Sequence, residues 1–301
     1  MQINNLLARL NEYKIEYALS EPMSRHTTFK IGGNADVFVK ISTREQLKSV
    51  ILSAKEFEVP YFILGKGSNL LVSDDGIEGI VICLDGLDDI KISGDTVVCG
   101  AGASLRAVCM SALKSELSGL EFAYGIPGTV GGALYMNAGA YGGEMSQVVV
   151  SANALNRDGD VVELSLSDMQ LGYRTSVFKN SDLIITDVTL KLNNGREQAI
   201  KTAMDDFFAR RRDKQPLEYP SAGSTFKRPV GYFAGALIEQ NNLKGVSVGG
   251  AQVSEKHAGF VINTGNATCK DVLTLIQKVQ DVVKNADGVN LEPEVIFVGR
   301  K

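Results

Sequence analysis

Two glycine-rich segments hold the residues whose spacing best suits ligand chemistry. The first, Gly65-Lys66-Gly67-Ser68-Asn69-Leu70, follows the short apolar run Tyr61-Phe62-Ile63-Leu64. Small residues after a strand let backbone N–H groups approach an anion such as phosphate, and a nest of amides favours negative charge. The segment is not a dinucleotide fingerprint, because Leu70 stands where the third glycine belongs. It is not a P-loop, because no Gly-Lys-Ser/Thr step follows at the right distance. Taken alone it reads as a tight turn. The second segment is Gly125-Ile126-Pro127-Gly128-Thr129-Val130-Gly131-Gly132-Ala133, followed by Asn137-Ala138-Gly139-Ala140-Tyr141-Gly142-Gly143. Ordinary loops need one or two residues at positive φ. So dense a run of small residues is expected to press its backbone against something flat or anionic, such as a large cofactor with a pyrophosphate and rings. Close packing of a strand on a helix is the alternative.

Two further features are chemically suggestive. Glu294 opens the run Val295-Ile296-Phe297-Val298, apolar on both faces of a strand and therefore expected to be buried. A carboxylate at its start would be partly desolvated, with its pKa raised, or it lies just outside the strand in solvent. Arg210 and Lys214 lie four apart at a helix end. They suit a phosphate, or they offset the helix dipole. The four cysteines, Cys83, Cys99, Cys109 and Cys269, form no CxxC pair, and with only His26 and His257 no metal site assembles by spacing.

The elements that would position these groups are partly readable. The strand Val37-Phe38-Val39 is followed by a helix with two overlapping capping boxes, Ser42/Glu45 and Thr43/Gln46, and an apolar face at Leu47, Val50, Ile51, Ala54 and Phe57. A second helix begins near Ser104. The chain from 90 to 192 otherwise reads as short strands, so α+β rather than strict βαβ alternation is expected. A later helix is expected to turn Ala199, Ile200, Ala203, Phe207 and Phe208 inward and to end in Arg210-Arg211-Arg212. Helices near Tyr232–Gln240 and from Thr268 onward complete the reading, the last with Val272, Leu275, Ile276, Val279 and Val283 on one face.

Composition sets the outer bounds. The chain has 301 residues, 44% apolar and 22% charged, which is globular and large enough for about two domains. Its net charge of -4 argues against a general nucleic-acid binder. No run approaches a membrane span and no signal peptide opens the chain, so a reduced, cytoplasmic protein is expected.

Both glycine segments, with Thr28-Phe29-Lys30-Ile31-Gly32-Gly33 upstream, resemble the FAD-binding half of the UDP-N-acetylenolpyruvoylglucosamine reductase (MurB) family. Four later blocks continue the resemblance: Tyr173-Arg174-Thr175-Ser176-Val177-Phe178-Lys179, Ala222-Gly223-Ser224-Thr225-Phe226-Lys227, Lys256-His257-Ala258-Gly259-Phe260 and Leu291-Glu292-Pro293-Glu294-Val295. The matches run in order from about residue 24 to 299.

The resemblance implies a three-domain flavoprotein with a vanillyl-alcohol-oxidase-type (PCMH-type) FAD-binding fold and a C-terminal α/β substrate domain. The expected divisions are 1–88 joined by 291–301, 89–194, and 195–290, with the flavin between the first two. FAD would be held by Gly32, Gly33, Gly65, Lys66, Gly67, Ser68, Asn69, Leu70, Gly125, Ile126, Pro127, Gly128, Thr129, Gly131, Gly132, Ala133, Asn137, Gly139 and Ala140. NADPH would reduce the flavin, and UDP-N-acetylglucosamine enolpyruvate would then take hydride at its β-carbon. Negative charge builds at the α-carbon and carboxylate, so a cation and a proton donor are required. Arg174 matches the family's catalytic arginine, Ser224 its proton donor and Glu294 its polarising carboxyl. A serine is a poor acid, so Lys227 or a water is expected to assist it. Arg210 and Lys214 align with phosphate-binding positions. Arg228 stands where the family often has Asn, which puts its substrate role in doubt, and His257 is a polar residue on the substrate side that as a lone histidine reads more readily as structural. The short interval between Arg174 and Ser224 leaves no room for the Tyr-bearing loop of some members. A monomer with no nucleic-acid or membrane partner is expected. The competing reading is another FAD enzyme of the same fold that oxidises an alcohol or hydroxy acid. Many of those tether the flavin through His or Cys, for which His26 is the one histidine near the first motif.

Overall fold

The computed structural model describes residues 2–300. The chain forms two compact units. The first takes the chain up to Leu19, then Val37–Lys66 and Gly79–Arg211. The second takes Ser20–Asp36, Gly67–Glu78 and the chain from Arg212 onward.

In the first unit, local rules place helices α1 (Gln2–Glu12), α2 (Arg44–Glu56) and α3 (Leu105–Lys114). Thr43 is the N-cap of α2: its Oγ1 accepts from Gln46 N at 3.1 Å, and Gln46 Oε1 accepts from Ser42 N at 2.9 Å. Of the two overlapping boxes, the one starting at Thr43 supplies the cap. The buried face of α2 is Leu47, Val50, Ile51 and Ala54, as the periodicity predicts. Each such side chain contributes about 1.5–3 kcal/mol when fully buried, Ala less. Ser104 caps α3 through Ala107 N at 3.2 Å. A four-stranded sheet has the order Tyr17–Pro22, Asn34–Lys40, Ile77–Cys83, Tyr61–Leu64, and the last two strands pair in parallel. A five-stranded sheet has the order Val161–Ser165, Val149–Leu155, Ile184–Lys191, Thr96–Gly100, Ile90–Ser93, all antiparallel.

Two elements of this unit depart from the sequence reading. Residues 130–135 of the glycine segment form a short helix, α4 (Val130–Tyr135), capped by Thr129. Glycine's low helix propensity hides it in the sequence. Backbone bonds from Val130 N to Ala103 O and from Gly131 N to Ala101 O, both 2.9 Å, tie its first turn to the neighbouring segment. Helix α5 (Glu197–Lys214) buries Ile200 and Met204, while Ala199 is exposed and Ala203, Phe207 and Phe208 are half-buried. Its apolar stripe is thin and starts at Ile200, so Ala199 falls on the charged face.

The second unit pairs Leu70–Val72 in parallel with Ile296–Val298. Ser247–Val248, Ala251–Val253 and Val261–Asn263 form an antiparallel sheet, joined by helices α6 (Ala234–Gln240) and α7 (Cys269–Asp287). Thr268 and Asp271 form the capping box of α7, and Gly288 ends it in the left-handed conformation at φ 70°. Val272, Leu275, Ile276, Val279 and Val283 are all buried, as the sequence predicts. The closing strand is not buried on both faces: it has one partner strand, and Phe297 is 38% exposed.

Candidate functional site

Arg174 sits in a four-residue turn of the first unit. Gly172 and Thr175 exchange backbone bonds at 3.1 and 3.2 Å across it, and Arg174 takes φ +54°. The turn is held from outside. Asn137, 1% exposed, donates from Nδ2 to Gly172 O at 3.1 Å and accepts from Ser146 N at 2.9 Å. Ser176 Oγ donates to Tyr135 O at 2.7 Å. Arg174 Nη2 donates to Gly139 O at 3.3 Å, and Lys179 Nζ to Arg174 O at 3.1 Å. Asn137 and Gly139 thus meet the arginine turn: Asn137 spends its side chain there, and Gly139 its carbonyl.

Ser224 and Glu294 come together in the second unit. Glu294 N donates to Thr225 O, and Lys227 N to Glu292 O, both at 2.8 Å, with Phe226 bridged to Pro293 between them. The two segments therefore run antiparallel, with Ser224 and Glu294 at the same end. Thr225, 4% exposed, anchors the serine side: its N donates to Gly259 O at 2.8 Å and its Oγ1 accepts from Val261 N at 2.9 Å. Asn69 anchors the other side, donating from Nδ2 to Glu294 O at 3.1 Å and accepting from Ile296 N at 2.9 Å. The Ser224 side chain is exposed and has no hydrogen-bond partner among the described residues. Lys227, expected to assist it, is ion-paired with Glu292 instead. Glu294 is half-buried.

The glycines of both segments press mainly on the protein itself. A Cβ on Gly33 would lie 2.1 Å from Asp74 O, and one on Gly65 would lie 2.7 Å from Thr129 Oγ1. Gly67, at φ +59°, would meet His26 O at 2.2 Å, so no other residue fits there. Gly131 abuts Ala101 and Gly143 abuts Phe122. The Gly65–Thr129 approach joins the two segments within the first unit.

The expected phosphate residues divide. Arg210 pairs with Asp206 at 2.7 Å and lies over the Phe207 ring, while Lys214 is exposed. Arg228 stacks on Phe233 at 3.9 Å. His257 Nδ1 accepts from Gly259 N at 3.1 Å, its ring packs edge-on against Phe260, and burial lowers its pKa. His26 bonds Glu21 Oε1 at 2.9 Å.

Arg211, which the sequence reading does not single out, is a more unusual cation than its neighbours. Burial lowers its pKa, it has no ion pair among the described residues, and its Nε lacks any partner. Its Cδ would lie 3.1 Å from a Cβ on Gly125. A four-residue step from Phe207 along α5 singles out its inward direction, a signal present in the sequence. Asp85 Oδ1 is likewise buried without a partner. A half-buried cation without an ion pair among the described residues, beside Gly125, suits a ligand with anionic oxygens, and the glycine backbones suit one with a flat face. A flavin dinucleotide has both, so the residues fit FAD.

Family models match in two places. Residues 35–165 match an FAD binding domain, and 215–298 match the C-terminal domain of UDP-N-acetylenolpyruvoylglucosamine reductase. The chain is 52% identical to UDP-N-acetylenolpyruvoylglucosamine reductase of Clostridium botulinum (strain Hall), over 94% of this chain and 92% of that one. Among solved structures, that of the same reductase from Thermus caldophilus aligns with a TM-score of 0.81 at 36% identity, covering 94% of this chain and 98% of that one. A berberine bridge enzyme variant aligns at TM-score 0.50 and 15% identity over 64% of this chain and 44% of that one, a likeness of fold alone.

Proposed function

The chain belongs to the UDP-N-acetylenolpyruvoylglucosamine reductase family, and on that premise we propose that it reduces UDP-N-acetylglucosamine enolpyruvate to UDP-N-acetylmuramate for peptidoglycan synthesis. FAD, when bound, carries hydride from NADPH to the β-carbon of the enolpyruvyl group. The rest of the chemistry falls to side chains. Arg174 holds the substrate carboxylate, because its planar fork suits two oxygens and its charge is permanent at neutral pH. Ser224 gives its proton to the α-carbon, and Glu294 polarises the carboxylate.

What supports these roles is the paired 224–227 and 292–294 segments, which bring a free hydroxyl and a carboxyl group to one end of a fixed backbone ladder. Lys227 is committed to Glu292, so the proton that replenishes Ser224 comes from water. Arg210 and Lys214 remain the residues proposed for the UDP phosphates, and Arg228 and His257 those proposed for the substrate side. The competing tethered-oxidase reading finds His26 already bonded to Glu21. The reaction belongs in the cytoplasm, where NADPH and nucleotide sugars are supplied, and it needs no nucleic acid, membrane or second subunit.

Stopped-flow separation of the half-reactions is the test. In Ser224→Ala, reduction of bound flavin by NADPH stays within about twofold of wild type, while reoxidation by the enolpyruvyl substrate falls about 10²–10⁴-fold, the usual worth of a positioned acid. Equal loss in both halves would remove Ser224 from the proton-donor role. Yellow flavin released on denaturation separates this enzyme from a tethered one.

A further inference from the structure

Tyr141 and Gly142 make the whole turn between two short strands of the first unit, Gly139–Ala140 and Gly143–Glu144, which pair antiparallel. Both turn residues lie at positive φ, +54° and +88°. Two-residue hairpin turns of this kind favour Asn-Gly, Asp-Gly or Gly-Gly, because a bulky side chain is strained there. A tyrosine persists in such a place only where its surroundings hold it. Here the ring lies flat on Phe207 of α5, with centroids 5.0 Å apart and planes 4° from parallel. That is the stacked geometry that aromatic pairs favour. The tyrosine stays 40% exposed, so burial of apolar surface does not explain its choice.

The hairpin carries a functional group at its other end. Gly139 O accepts from Arg174 Nη2 at 3.3 Å. A guanidinium has five N–H donors, so this bond directs Arg174 and leaves donors for a carboxylate. The base of the hairpin is pinned: Met145 N donates to Ala138 O at 3.0 Å, and a Cβ on Gly143 would lie 2.5 Å from the Phe122 ring. The tip has a long bond from Gln147 Nε2 to Gly142 O, 3.4 Å, and the stack on Phe207. The guanidinium of Arg210, proposed for the UDP phosphates, lies over the same Phe207 ring at 5.9 Å. One ring thus anchors both the arginine hairpin and the helix end.

We propose that Phe207 is a positioning residue for the reduction of substrate: by stacking on Tyr141 it fixes the hairpin whose Gly139 carbonyl aims Arg174 at the substrate carboxylate. The inference rests on the proposed reductase function and on the role of Arg174 in it. It gives neither ring a contact with substrate and adds no bond-making step.

Single-turnover reoxidation of the reduced enzyme by saturating enolpyruvyl substrate tests it. Phe207→Leu keeps an apolar side chain and removes the stack. Its limiting rate falls about 10–100-fold, as expected for a misaimed group, while reduction of the flavin by NADPH stays within about twofold of wild type. Phe207→Tyr keeps a flat ring and restores the rate. Tyr141→Gly is the sharper variant, because glycine suits the turn and the chain folds without strain there. It nevertheless slows reoxidation as Phe207→Leu does. Tyr141→Phe keeps the wild-type rate; a loss there as large as in Tyr141→Gly would put the hydroxyl itself on the substrate and overturn the proposal. In the Arg174→Ala background Phe207→Leu removes little further rate, whereas an additive loss would overturn it. A folded Phe207→Leu or Tyr141→Gly protein that is reoxidised at the wild-type rate overturns it too, and Tyr141→Gly decides alone should the leucine variant not fold. Wild-type flavin that NADPH reduces and the enolpyruvyl substrate fails to reoxidise would instead defeat the proposed function itself.

Discussion

Arg174 occupies a backbone conformation that side chains with a Cβ avoid, at φ +54°. The left-handed region costs an ordinary residue roughly 1–2 kcal/mol. Here the cost is offset by the ties from Asn137, Ser176 and Lys179 that close the turn. The strain gives a test that separates backbone from charge. Arg174→Ala and Arg174→Gly both lose the guanidinium, so both lose carboxylate binding and turnover. Glycine alone is relieved of the strain, so Arg174→Gly is more stable than Arg174→Ala by about 1 kcal/mol in urea unfolding. Equal midpoints would mean that the turn relaxes around alanine. None of this is legible from residue types: Arg174 is found through the family's motif, and its unusual φ leaves no mark in the sequence. Glu294 is similar. Its pattern predicts the start of a buried strand, whereas it is fixed by Asn69, 225 residues away, and by Thr225.

Elements built by short-range rules are the ones that the sequence displays. Helix α7 has its capping box, its five-residue apolar face and its glycine stop within one continuous run, so every signal is local. Helix α4 has the opposite character. Its glycines argue against a helix, and the bonds to Ala101 and Ala103 that hold its first turn come from a distant segment. The density of glycine predicts contact with a cofactor, and many of those glycines also lie so close to neighbouring protein atoms that a Cβ would not fit, a separate demand for small residues. The same logic assigns Asn137 to positioning. It joins the end of α4 to the arginine turn through Gly172 O and to the following segment through Ser146 N. Asn137→Ala leaves a part-buried carbonyl and amide without these partners, costing about 1–3 kcal/mol of stability. Reoxidation of the flavin by substrate slows about 10–100-fold, because the guanidinium loses its fixed direction. A positioning role also predicts non-additivity: in the Arg174→Ala background, Asn137→Ala removes little further rate. Additive losses would make Asn137 a separate contributor.

At the scale of the whole molecule, pH dependence of stability is set by groups whose pKa differs between folded and unfolded chains. Burial lowers the pKa of His257 below its ordinary 6.5, Lys244 and Lys214 act in the same direction, and a bond to its own backbone and Glu239 oppose it. The folded chain thus binds fewer protons than the unfolded one below about pH 6.5, and stability falls as pH drops from there through the folded value. Asp271 has the familiar carboxylate behaviour: backbone N–H groups of Thr268 and Gly250 hold its pKa below 3.8, so its contribution is lost only at still lower pH. The buried thiols of Cys99, Cys109 and Cys269, pushed up to about 12, stay neutral throughout. Among the displaced groups, His257 alone has its ordinary pKa between 5 and 7. Urea midpoints measured across that range should decline in the wild type and flatten in His257→Gln, with both proteins declining alike below pH 4. A wild-type midpoint that is level from pH 7 to 5 would mean that the folded chain admits the proton to His257 as readily as water does.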